Sequence, residues 1–344
     1  MNRVLPLHRL LSAVALGATV VMGGCGSDPV SLEEGARMEL IVAGLRPLDP
    51  ATEGSFELWI HDDGGAVVSA GRLVATDGAS TTIPFTLPVA SPSRVTITVE
   101  PPGDADAQPS AQRFLTGEFA GGGARLSIDG AVTDGRPLER DPGHHSLFTS
   151  SNNVKYGYPS EETAGLWLFS ISVQVNKHGT REVRLTGLDR SWLYEGWIVY
   201  RPGTDEETWI SYGKYRPDHY SLLTSRDNTG SGVFSGDADF VNGGVESVPG
   251  DEWTTTEVAE RFGVSLPGGF AVPLRLNAVD QAGDPLWHHA ITIEPAFDED
   301  EALTHERPFL LRPYANMIGL GGPEMPRRII HQDNEPTGEV RRAR

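Results

Sequence analysis

Along the first third of the chain, apolar and polar residues alternate in short runs broken by Gly, Pro and Asp. "RMELIVAGL" (residues 37–45) reads as a half-buried strand closed by a Gly-Leu turn. "SFELWIHDDGGAVVSAGRLV" (55–74) gives a strand, an Asp-Asp-Gly-Gly turn and a second strand. "STTIPFTLP" (80–88) and "RVTITVEPP" (94–102) add two more, the latter closed by Pro101, which cannot donate to a ladder. "AQRFLTGEFAGGGARLSIDG" (111–130) supplies a final pair about a Gly-rich turn. Strands at this spacing predict a β-sandwich over residues 37–130.

The second half repeats the pattern in order. "EVRLTGL" (182–188) answers "MELIVAGL" (38–45), "YEGWIV" (194–199) answers "FELWIH" (56–61), and "SYGKY" (211–215) answers "SAGRL" (69–73). "ITIEP" (291–295) answers "ITVEP" (97–101), and "RPFLL" (307–311) answers "RFL" (113–115). A second sandwich is expected over 144–322, after a Pro/Gly-rich linker at 131–143. Trp59 precedes Glu100 by 41 positions, whereas Trp197 precedes Glu294 by 97. The excess lies mainly in an insert at 220–269, where "TTTEVAERF" (254–262) reads as one short helix. Residues 323–344 carry no core-forming pattern and are expected to be a disordered, locally basic tail.

Forty Gly and 25 Pro agree with many turns and short strands, and 344 residues suffice for two cores. The formal charge of −19 sets the surface against phosphate backbones and anionic headgroups, so nucleic acid is not an expected partner.

At the N-terminus, Arg3 and Arg9 form a basic region, residues 10–22 an apolar one, and "MGG" precedes the sole cysteine, Cys25. Removing residues 1–24 leaves 26 basic against 47 acidic residues, a net −21. The apolar stretch is short and Gly-rich for a membrane span. It resembles the lipobox of bacterial lipoproteins, which implies a signal peptide (1–24), a lipidated Cys25 and a polar tether (25–36). The absence of Asp after Cys25 implies, by the same resemblance, the outer membrane rather than the inner. A single Cys provides no disulfide framework.

The Gly-Leu, [Tyr/Phe]-Glu-x-Trp-Ile, Ser-x-Gly-[Arg/Lys] and Ile-Thr-[Ile/Val]-Glu-Pro motifs together resemble the extracytoplasmic C-terminal domain of anti-sigma-K factors. "HSLFTSSNN", "AGLWLF" and "VPGDEW" resemble parts of a longer copy found in tandem-domain bacterial lipoproteins. The resemblance implies an all-β chain of two immunoglobulin-like, anti-sigma-K-type sandwiches, the second with the long insert. Anti-sigma factors of this type carry a sigma-binding segment ahead of a membrane helix. Nothing precedes the leader here, so that role is not carried over.

Strand alternation puts Phe56, Leu58 and Ile60 on one face, Glu57 and Trp59 on the other; Glu195, Trp197 and Val199 share the equivalent face. A Glu beside a Trp can wall a peptide or sugar site, or it can be buried structure held by a neighbouring strand, and burial is the expected role. Glu100 and Glu294 stand at strand ends before acidic loops (Asp104, Asp106; residues 298–301). Those loops lack EF-hand spacing and read as solvated. The adjacent pairs His144-His145 and His288-His289 point to opposite faces, so neither chelates one ion alone. No catalytic, metal or cofactor motif emerges. The expected function is a lipid-anchored, non-catalytic binding, sensing or structural module facing an envelope protein. The alternative is a protein that binds or processes surface polysaccharide through Trp209, Tyr212, Tyr215, Tyr220 and Trp253.

Overall fold

The computed structural model describes residues 32–76, 80–147, 163–166, 183–216, 224–225, 266–297, 307–322 and 325–344. The leader, Cys25, most of the insert, its expected helix and the acidic run at 298–301 lie outside these residues. The described residues are all β, with a single 3-10 turn at Pro267–Gly269 and no α-helix.

The first half contributes β1 (Arg37–Ala43), β2 (Ser55–Asp62), β3 (Val67–Leu73), β4 (Thr81–Thr86), β5 (Pro92–Glu100), β6 (Arg113–Ala120) and β7 (Gly123–Leu126). β6 pairs with β5 along its first part and with β7 at its end, so it carries the sheet from one layer to the other. The alternation seen in the sequence becomes burial: Phe56, Leu58 and Ile60 of β2 and Val95, Ile97 and Val99 of β5 all enter the main core. Pro84 sits in β4, an edge strand, where a missing N–H costs no ladder bond.

The second half contributes β8 (His144–His145), β9 (Trp192–Tyr200), β10 (Thr208–Arg216), β11 (Thr224–Ser225), β12 (Trp287–Pro295), β13 (Leu311–Met317), β14 (Arg327–Arg328) and β15 (Ile330–His331). Six of these form a second sheet in the order β11-β10-β9-β12-β13-β15, while β14 and β8 pair only with each other.

Two sequence expectations need correction. Residues 323–344 are not disordered as a whole: they hold β14, β15 and β16 (Thr337–Arg342). β16 crosses back to the first half and lies antiparallel between β7 and β1, giving the order β3-β2-β5-β6-β7-β16-β1-β4. Val340 is buried there and Arg341 bonds Glu39 of β1 at 3.2 Å, so one apolar residue and one outward ion pair suffice in a strand bonded on both sides. Nor is 131–143 a free linker. Ala131, Val132 and Leu138 are buried, and Asp189 N–H donates to the Val132 carbonyl at 2.9 Å.

The core runs from one half into the other. Phe114 of β6 meets Trp192 of β9 and Phe309 with ring centroids 5.8 Å apart in each case. Around them Trp192 Nε1 donates to the Arg113 carbonyl (3.0 Å), Gln112 Nε2 to the Ala296 carbonyl (2.6 Å), and Arg113 pairs with Asp189 (3.3 Å). A buried indole needs such a partner for its N–H.

Candidate functional site

The six Glu and Trp residues singled out in the sequence fall into two equivalent networks. In the first half, Trp59 Nε1 donates to Thr98 Oγ1 (2.8 Å) and to Glu100 Oε1 (3.2 Å), and the Thr98 hydroxyl donates to the same carboxylate. The Ser110 backbone N–H donates to Glu100 at 3.1 Å. In the second half, Trp197 Nε1 donates to Thr292 Oγ1 (2.9 Å), the Thr292 hydroxyl donates to Glu294, and Phe309 N–H donates to Glu294 at 2.9 Å. The earlier acid of each motif is also held: Ser69 donates to Glu57 (2.5 Å) and Ser211 to Glu195 (2.6 Å).

The strand registers explain the match. Glu57 stands opposite Thr98 and Arg72, while Glu195 stands opposite Thr292 and Lys214. Each ladder to the following strand carries an irregularity at the same place, leaving Ala70 in one half and Tyr212 in the other as the extra residue. Gly54, at φ 89°, allows the chain to pass the Glu100 carbonyl, since a Cβ there would stand 2.0 Å from its oxygen.

All six residues are buried: Glu57 is 9 % exposed, Trp59 2 %, Glu100 1 %, Glu195 3 %, Trp197 0 % and Glu294 5 %. The recognition-wall reading of the Glu–Trp pairs therefore fails, because their polar atoms are consumed inside the fold. Burial raises the pKa of Glu100 and of Glu294, against the opposing pull of their donors and, for Glu294, of Lys214.

The halves part at the cation. Arg72 is half-exposed and bridges Glu57 (3.4 Å) and Asp104 (3.1 Å). Lys214 is buried, its ammonium 3.9 Å from Glu195. The Asp104 loop is closed by its own backbone as well: Asp106 N–H donates to Asp104 and Gln108 N–H to Asp106.

Of the proposed aromatic platform, Trp197 and Trp209 meet edge to face at 5.8 Å, with Val199, Ala290 and Ala315 packed alongside. The Arg312 guanidinium lies 4.6 Å over the Trp209 ring and Glu207 accepts its N–H at 2.6 Å, so Trp209 already has a partner where a sugar would stack. Tyr212 is fully buried, which removes it from any surface platform. Trp253 and Tyr220 lie outside the described residues, as does the Tyr215 side chain.

Sequence reasoning missed two clusters. His145 and His289, one from each adjacent pair, meet in the interior, an encounter no local spacing announces. His331, Asp333 and Glu335 are the one group of three potential metal ligands among the described residues. Arg140 already bonds Asp333 and lies 3.4 Å from Glu335, so a guanidinium stands where a cation would have to compete.

The family comparison covers all of the first network and none of the second. Residues 11–114 match the family model of the anti-sigma-K factor rskA, C-terminal. Neither a curated protein nor a solved structure matches the chain. The rskA-type stretch takes in β1 to β5 and the first residues of β6, and it stops short of the second half. The second half resembles it in the shared registers and the shared Trp-Thr-Glu network. Among the described residues no helix is long and apolar enough to cross a membrane.

Proposed function

We propose that this protein is a lipid-anchored envelope protein whose rskA-type sandwich and its elaborated partner act as a non-catalytic binding, sensing or structural module. Cys25 is the lipidated residue in this reading, the outer membrane its site, and an envelope protein its partner. The observation that carries the non-catalytic part is the closure of both Trp-Thr-Glu networks: the motifs that make the repeat recognisable hold strands together and leave no acid or base free to meet a substrate. The match to a domain of anti-sigma factors supports contact with protein.

The test is metabolic lipid labelling and fractionation of the full chain beside Cys25→Ser. Labelled protein in the membrane, with an unlabelled, released variant, is expected; an unchanged membrane fraction overturns the anchor. Proximity labelling from the anchored chain is expected to mark an envelope protein. Turnover of a surface polysaccharide by the purified chain overturns the non-catalytic reading.

A further inference from the structure

Inside the second half lies a buried contact that the first sandwich has no counterpart for. The His145 and His289 rings meet edge to face, centroids 4.5 Å apart and Nδ1 to Nδ1 3.2 Å, and His289 Nε2 lies 2.7 Å from the Tyr212 hydroxyl. Both rings are buried. Only one hydrogen fits between the facing Nδ1 atoms, so the two neutral rings are complementary tautomers. His145 Nε2 has no partner.

Among the described residues, the groups acting on the pair carry no negative charge. Tyr212 faces it from β10 and His288 adjoins it on β12. His144 adjoins it on β8, and Arg327 of β14 stands opposite His145. Among the described residues no carboxylate is bonded to either ring. An added proton would therefore be a buried cation beside Arg327, whose guanidinium is already engaged by the carbonyls of Met325 (2.8 Å) and Gly322 (3.3 Å).

The pair also sits where the chain crosses between the halves. β8 ends the first crossing, and β14 leads through β15 to β16 on the second. The two crossings brace each other through a two-residue ladder, Arg327 opposite His145 and Arg328 opposite His144, flanked by the Ile329 N–H bond to the Gly143 carbonyl (2.8 Å) and the Arg328–Asp141 ion pair (3.2 Å).

We propose that the His145–His289 contact is an acid-sensitive lock: neutral rings hold the two crossings closed, and a proton taken by the pair drives His145 out of the interior and frees β8 together with β14. The proposal stands on this geometry and does not depend on the lipid anchor. Burial holds both histidines below their ordinary value, His289 at about 3. A base whose folded value is depressed contributes stability that is complete above the ordinary histidine value of about 6.5 and is lost as pH falls below it. His289 alone makes opening roughly 25-fold more favourable at pH 5 than at pH 7.

Hydrogen exchange on the full chain tests this. Once the chemical exchange rate is corrected for, residues 141–147 and 327–331 are expected to lose protection by about 25-fold between pH 7 and pH 5, with β2 and β5 unchanged. The variant His145→Leu/Gly196→Leu/Tyr212→Ala/His289→Val, which removes both rings and gives β9, β10 and β12 the residues of the first half, is expected to be flat over the same range. Equal protection at both pH values, or the same acid response in that variant, overturns the lock. If the variant does not fold, the imidazole nitrogen spectra of the wild-type chain decide: a ring that takes a proton while the crossings stay protected overturns it.

Discussion

Leu58, Ala70 and Val95 in the first sandwich occupy the places of Gly196, Tyr212 and His289 in the second. The frame around them is the same: a Trp bonded to a Thr, the Thr to a Glu, and that Glu to a backbone N–H. In the first half a Leu fills the core and the extra residue of β3 is small. In the second the Leu is gone, the tyrosine ring lies over the bare backbone, and its hydroxyl reaches a histidine. A Cβ added to Gly196 would stand 1.7 Å from that ring. The exchange of large for small across one strand pair keeps the core filled while bringing a polar group into it. The duplicated scaffold is thus shared and its interior chemistry is not.

The sharpest way to break this comparison is Gly196→Leu alone. The fully buried Tyr212 has no room to yield, so a loss of about 3 kcal/mol or more is expected in chemical denaturation. Adding Tyr212→Ala and His289→Val is expected to recover most of it; no recovery would show that the two trios are not interchangeable. Next comes the cation. Glu195→Ala leaves the buried Lys214 without its nearest carboxylate and is expected to cost about 3 kcal/mol. Glu57→Ala strands only a half-exposed Arg72 and is expected to cost roughly 1–2 kcal/mol.

Smaller still is the contrast between the threonines. Thr292→Val removes the partner of the Trp197 N–H, whereas in Thr98→Val the Trp59 N–H still reaches Glu100. Unfolding midpoints are expected to fall in both, with Thr292→Val worse by about 1 kcal/mol. The subtlest test is the pH dependence of Glu100→Gln. Burial raises the folded value of this carboxyl above its unfolded one, so the wild type loses stability from this site as pH climbs from about 4 to 7. The Gln variant is expected to lack that component in denaturation curves at the two pH values.

The repeat was legible because alternation writes itself into strands. Phe56, Leu58 and Ile60 face the core as period two requires, and the Trp and Glu between them are the buried fold signature expected of them. What escaped was non-local. "TGEVRR" has one apolar residue and three charges, a pattern that reads as solvent until Arg341 is seen against Glu39 and Val340 beneath the sheet. Ala131 and Val132 look like spacers in a Pro/Gly-rich stretch, yet both are buried. His145 and His289 are brought together by tertiary pairing alone, and strand alternation assigned each to a different face from its neighbour without saying what that face would meet.

The return of β16 to the first sheet also sets an order of events. β1 and β7 are made early, yet the strand that must lie between them is specified near the other end of the chain, after the whole second half. Whether the polypeptide emerges from a ribosome or is threaded across a membrane, two ladder edges of its first sandwich stay unsealed until almost everything else has arrived. Such a protein cannot mature one domain at a time. Its first half is the earliest to appear and among the last to be finished, and during that wait its open edges are the surface most in need of a chaperone's cover.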